Sequence, residues 1–177
     1  LSAQCVFYGY PRDEIQLKDS DVIVVNIPNN MDARFKTSNE LNSLFNFTLD
    51  PCSTDENYKC EKHYTKKDNG LSKDWNNETV FVNPPYGREI KKWVKKCAEE
   101  YSKYGIIIIM LIPSRTDTSW AHSYIYKFAK YILHFKGRLK FINKTFPSYD
   151  KNGNFKISPA PFPSQLIFFI KNELSEL

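Results

Sequence analysis

The sequence has no Cys-x-x-Cys pair, no Gly-x-Gly and no apolar run of membrane-spanning length. Its four cysteines, Cys5, Cys52, Cys60 and Cys97, follow neither a zinc-site spacing nor a dense disulfide framework, so reduced thiols in a cytoplasmic, intracellular setting are expected. Cys52, Cys60 and His63 come closest to a ligand set, but no matched fourth ligand follows at a fixed spacing, and no metal is expected. The longest apolar run, Ile106 to Ile112, is strand-sized, which argues against a membrane partner. Without Gly-x-Gly the dinucleotide fingerprint is missing, and a nicotinamide-dependent oxidoreductase is disfavoured. There is no internal repeat and no low-complexity linker. The chain opens at Leu1 with no charged-then-apolar leader, so no secretory signal is expected, and a first residue other than Met suggests residues ahead of it.

What is present suits one domain with a real core: 177 residues, 41% hydrophobic. The net charge of +5 fits a polyanionic partner, although a Lys-rich and Asn-rich composition gives the same balance without one.

The stretch Val80-Phe81-Val82-Asn83-Pro84-Pro85-Tyr86-Gly87 organises the chain. Three β-favouring residues run into a polar amide and two prolines, so a strand ends at Asn83 and a rigid turn follows. Beyond it Ile90, Trp93, Val94, Cys97, Ala98 and Tyr101 recur at helical spacing, with Lys91, Lys92, Lys95, Lys96, Glu99 and Glu100 between them. Ile106 to Ile112 is then a continuous β-branched run of the kind buried on both faces of a parallel sheet. The turn therefore sits at the carboxyl end of a strand in a βαβ unit, where open α/β sheets bind ligands.

The residue types there suit a planar amine. Asn83 offers both a donor and an acceptor to an amino group beside a ring nitrogen, as in adenine or cytosine, or to a carboxamide. Pro84 aims its carbonyl rigidly as a second acceptor, and Tyr86 gives a flat face on which an extruded base can stack. The structural alternative is a proline-rich turn with a packing tyrosine.

Elsewhere, residues 1 to 34 read as an arm with a short strand around Val22 to Ile27, and residues 35 to 177 as a single domain. A short helix is expected from Ser38 to Asn46, capped by Thr37 or Ser38. Phe47 to Asp50 reads as a strand tipped by a carboxylate, followed by Pro51-Cys52-Ser53. Asp50 is a candidate acceptor for a ligand ammonium group or ribose hydroxyls, or else a turn initiator. Asp55 to Lys73 reads as a basic, tyrosine-bearing loop, solvated or in contact with phosphates, that ends in an Asp68-Asn69-Gly70-Leu71 turn. Pro113 to Trp120 forms a polar loop on the same rim as Asn83, where Arg115 and Trp120 are placed to touch phosphate and base. Thr118 or Ser119 is equally suited to cap a helix containing Tyr124, Phe128 and Ala129. Tyr131 to Phe135 and Gln165 to Ile170 read as strands, and residues 143 to 163 as too irregular for an element.

The ordered set Phe47-Thr48-Leu49-Asp50-Pro51-Cys52, Asp68-Asn69-Gly70-Leu71, Trp75, Asn83-Pro84-Pro85-Tyr86-Gly87, Leu111-Ile112-Pro113-Ser114-Arg115-Thr116-Asp117-Thr118, Gly137-Arg138-Leu139-Lys140-Phe141 and Pro161-Phe162-Pro163-Ser164 resembles the phage-type DNA N-6-adenine methyltransferase (Dam) family. The likeness runs over roughly residues 35 to 170. It implies an α/β, Rossmann-like class I methyltransferase fold: a mostly parallel central sheet, helices on both faces and an antiparallel last strand. It also implies S-adenosylmethionine as methyl donor without a metal, and the N6 amine of adenine in DNA as acceptor, in a phage or its bacterial host. Carried over, Asn83, Pro84, Pro85 and Tyr86 are the catalytic set, and Asp50, Pro51, Thr37 and Asp68 the cofactor side, with Asp68 also matching an adenine-side acid. Arg115, Trp120, Arg138 and Lys140 are the candidate DNA contacts. Two features depart from the family: Phe35-Lys36-Thr37-Ser38 stands where Trp-x-Thr-Pro is common, and no target-recognition domain is evident. Specificity is thus expected to be low, to come from loops, or to be supplied by a partner subunit or a homodimer. A non-catalytic methyltransferase-like subunit is the rival from another class; RNA adenine, cytosine N4 and protein glutamine are rival acceptors.

Overall fold

The computed structural model describes residues 5–7, 23–27, 38–135, 137–141, 151 and 158–171. Its centre is the predicted βαβ unit. Val80–Val82 (β5) is buried at every position, and Ile108–Pro113 (β6) pairs with it in parallel, Val80 opposite Ile108 and Val82 opposite Met110. Between them Ile90–Tyr104 (α2) buries Ile90, Trp93, Val94, Cys97 and Ala98, and ends where Gly105 takes a left-handed φ of 64° with its N–H on the Tyr101 carbonyl, 2.7 Å away. One polar position departs from the sequence pattern. Glu100, expected among the solvent-facing charges, is buried, because its carboxylate accepts the Trp75 backbone N–H at 3.0 Å and pairs with Lys96 at 2.6 Å.

In chain order the other elements among the described residues are β1 (Cys5–Phe7), β2 (Ile23–Ile27), α1 (Ser38–Phe45), β3 (Leu49–Asp50), β4 (Lys62–His63), a 3-10 turn (Gly70–Ser72), a π turn (Ala121–Ile125) running into the single turn α3 (Tyr126–Phe128), β7 (Tyr131–Phe135), β8 (Lys140–Phe141), β9 (Ser158–Pro159) and β10 (Ser164–Phe169). The expected helix through Ala129 stops short, since that residue is already extended. β4 lies inside the stretch read as a loop, and β9 inside the stretch read as too irregular, where it pairs with β8. Each is two residues long and owes its existence to a partner strand.

Among the described residues eight strands form one sheet, in the order β1-β2-β7-β10-β6-β5-β3-β4. All neighbours are parallel except β10, which runs antiparallel to both β6 and β7. The sheet is therefore the expected Rossmann-like one with its last strand reversed. β2 pairs with β7, Ile23 opposite Tyr131, so this part of the N-terminal arm is built into the sheet.

Alternate residues of the central strands feed two cores. On one face Val80, Val82, Met110, Ile112, Ile167 and Phe169 pack with Trp93, Val94 and Cys97 of α2. On the other Phe81, Ile109, Leu133, Leu166 and Phe168 pack with Leu41 and Phe45 of α1. Burial of each such side chain contributes ~1.5–3 kcal/mol. Helices thus cover both faces, and β3, β5 and β6 deliver Asp50, Asn83 and Ser114 to one edge. Among the described residues no helix is long and apolar enough to cross a membrane.

Candidate active site

At the tip of β5 the ladder cannot continue, because Pro84 has no N–H to donate. Asn83 is half-buried, Pro84 is buried and Pro85 is exposed. Tyr86, half-buried, donates its hydroxyl to Asn83 Oδ1 at 2.7 Å, and its ring meets Phe162 edge to face, with centroids 5.2 Å apart at 86°. Burial pushes the Tyr86 phenol well above its ordinary range, so it stays protonated and able to donate.

The neighbouring turn, at the tip of β3, holds a carboxylate. Asp50 is only 5% exposed; Oδ2 accepts the Lys59 backbone N–H at 3.1 Å and Oδ1 that of Cys52 at 3.4 Å. Burial raises its pKa, and the two backbone hydrogen bonds and the charges of Lys59 and His63 oppose that rise. The β4 edge clamps the same turn, since Tyr64 N–H donates to the Asp50 carbonyl at 2.9 Å and Ser53 N–H to the Tyr64 carbonyl at 3.0 Å. Pro51 is buried, and the Ser53 hydroxyl is buried with no hydrogen-bond partner among the described residues.

Gly70 belongs to the site although the sequence does not single it out. A Cβ built on it would lie 2.0 Å from the Pro51 carbonyl oxygen, so only glycine lets this segment lie on the Asp50 turn. Asn69 before it takes φ 54°, and Trp75 Nε1 donates to the Gly70 carbonyl at 3.1 Å. The sole sequence signal was the Asn-Gly pair, which marks a turn without saying what the turn touches. Asp68, from the same motif, is exposed, and its Oδ2 accepts both Thr65 N–H (2.8 Å) and the Thr65 hydroxyl (2.7 Å), closing a surface turn.

The remaining candidates are spread more widely. Arg115 is exposed, and its carbonyl accepts the Thr118 hydroxyl at 3.0 Å. Trp120 is half-buried against the α2-face core, and Arg138 is exposed. Lys140 is described only through its backbone in β8, and Thr37 lies outside the described residues. A polar trio not foreseen in the sequence shares the edge: Ser114 Oγ donates to Gln165 Oε1 at 3.0 Å and lies 3.0 Å from His134 Nδ1. His63 is stacked on Tyr58, with its Nε2 3.5 Å from Asp55 Oδ1. Among the described residues no three His, Cys, Asp or Glu side chains are grouped as a metal ion would need.

A family model described as DNA N-6-adenine-methyltransferase (Dam) matches residues 33–172. The chain is similar to the DNA N-6-adenine-methyltransferase of Escherichia phage T1, 37% identical over 75 residues, which cover 42% of this chain and 31% of that protein. It is also similar to the DNA N-6-adenine-methyltransferase of Haemophilus phage HP1, 24% identical over 124 residues, 70% of this chain and 66% of that protein. The matches thus span less than two thirds of the length of either relative.

Proposed function

Because the chain belongs to the DNA N-6-adenine-methyltransferase (Dam) family, we propose that it transfers a methyl group from S-adenosylmethionine to the exocyclic N6 amine of adenine in DNA. The observation that carries this reading is the placement of the Asn83 turn and the Asp50 turn at the tips of adjacent parallel strands, on one edge of the sheet.

Asn83 Oδ1 and the Pro84 carbonyl are the two acceptors for the amine hydrogens. With both hydrogens held, the nitrogen is drawn towards pyramidal geometry and its lone pair is exposed for attack; once it bears the methyl carbon it releases one of those hydrogens as a proton to solvent. Tyr86 gives the face on which the extruded base stacks, offsetting an unstacking cost of a few kcal/mol. The Asp50 turn fits the donor. A carboxylate has about four lone-pair sites, so beyond the two backbone amides Asp50 keeps capacity for an ammonium group or hydroxyls, and the Ser53 hydroxyl, which has no partner among the described residues, lies in the same turn. When bound, the donor supplies a methyl carbon on a cationic sulfur, so a good leaving group is already in place. Arg115, Trp120, Arg138 and Lys140 are assigned to the DNA backbone and bases near the site, and Thr37 and Asp68 to its cofactor side. Specificity beyond these loops falls to a partner subunit or a second copy of the chain.

The test is incubation with labelled donor and unmethylated DNA, RNA and protein in parallel, followed by nucleoside analysis. Label in N6-methyladenine from DNA is expected; label confined to cytosine, RNA or glutamine would replace the acceptor. A titration with donor that gives no heat, together with no transfer, would leave a non-catalytic subunit instead.

A further inference from the structure

The hydrogen bond inside the catalytic turn carries an inference of its own, which rests on the methyl-transfer reading. An asparagine amide torsion is broad and roughly two-fold, so at the end of a strand the group can present either its oxygen or its NH2 to a ligand. Here that choice is constrained. Asn83 Oδ1 accepts the Tyr86 hydroxyl at 2.7 Å, and the ring that carries the hydroxyl is braced by Phe162, centroids 5.2 Å apart. A carbonyl oxygen has two lone pairs, so the oxygen bonded to Tyr86 keeps one for a second donor.

We propose that the Tyr86 hydroxyl is a positioning group, which holds the Asn83 amide so that the free lone pair of Oδ1 faces the amine of the flipped base. One residue then performs two separable tasks. Its ring is the stacking platform, and its hydroxyl sets the orientation of the acceptor. The ring, held at the hydroxyl by Asn83 and in T-shaped contact with Phe162, ties the platform to the acceptor, so the base and its amine are registered together.

Tyr86→Phe separates the two tasks, because it keeps the ring and removes only the hydroxyl. The expected result is a fall in kcat of about tenfold, the scale of one lost hydrogen bond. DNA affinity by fluorescence anisotropy, donor affinity by titration and the melting temperature should stay near those of the parent. Tyr86→Leu, which removes the ring as well, should weaken DNA binding and kcat together. An activity-independent readout is the Asn83 side-chain NH2 pair in a 15N-labelled NMR spectrum: resolved and sharp in the parent, averaged or broadened in Tyr86→Phe. Retention of kcat within twofold by Tyr86→Phe would overturn the inference and leave the functional reading standing. So would a loss of kcat matched by loss of donor affinity or melting temperature, since that is a structural role only. If the parent methylates nothing, the functional reading fails and the inference falls with it, a result the unmodified chain alone makes plain.

Discussion

The turns after β3 and β5 are built alike and gripped differently. Each ends a buried strand with a polar residue followed by proline, Asp50-Pro51 and Asn83-Pro84. Asp50 is closed in by backbone amides from Cys52 and from Lys59, nine residues on, while Asn83 is held by the hydroxyl of Tyr86, inside its own turn. The difference follows from charge. A carboxylate withdrawn from water needs several fixed donors around it, or it takes up a proton, whereas a neutral, half-buried amide is satisfied by a single orienting partner. On the proposed reading, the Asp50 turn suits a cationic or hydroxyl-bearing donor that always presents the same groups. The Asn83 turn, oriented by one hydroxyl, keeps on the same reading acceptor capacity for a base that enters and leaves.

The largest break in this comparison is Asn83→Ala. It removes a neutral, half-buried amide, so the fold should survive with an unchanged circular dichroism spectrum while methyl transfer falls by about a thousandfold, and donor affinity should hold. Near-normal transfer by that variant would remove the turn from the chemistry. Asp50→Asn tests the other turn. Losing a charge-assisted contact of ~1.5–3 kcal/mol should weaken donor binding by about 10- to 100-fold in a titration. A smaller effect is expected one layer further out. Gly70→Ala places a methyl against the Pro51 carbonyl, which is backbone and cannot swing aside, so a loss of ~1–3 kcal/mol in denaturant stability is expected, with a raised KM for donor and little change in kcat. An unchanged KM would uncouple the Gly70 segment from the Asp50 turn.

How far the sequence reveals this arrangement depends on how local each feature is. The Val80 strand, the α2 periodicity and the Asn83 turn are legible because propensity, pattern and proline chemistry agree within a few residues. β4 and β9 are not, because two residues carry no period and their pairing is with strands far along the chain. Glu100 reads as a surface charge from its neighbours, yet its partners include the backbone of Trp75, 25 residues earlier. The Ser114, His134 and Gln165 trio is likewise spread over 51 residues and meets only because β6, β7 and β10 are adjacent. Of the candidate site, the two strand tips were readable from composition at a strand end. The glycine that seats one turn and the hydroxyl that orients the other are contacts, and contacts have no sequence period.

The finest test of the contrast between the turns is their response to pH. Burial raises the Asp50 pKa above 3.8, so between 3.8 and its folded value the native state binds more protons than the unfolded chain. Stability from this group therefore falls as pH rises through that window and levels off above it. Donor affinity should move the opposite way, because the ionised carboxylate is the form that accepts an ammonium group: it falls as pH drops through the same window. Asp50→Asn, which carries no titratable proton, should cancel both trends. The Asn83 turn has no such lever, since its one titratable group, the Tyr86 phenol, is displaced upward and keeps its proton throughout. Tyr86→Phe should accordingly leave the pH dependence of stability as it is in the parent. A pH trend that survived Asp50→Asn would place the responsible proton elsewhere and remove the buried charge as what sets the two turns apart.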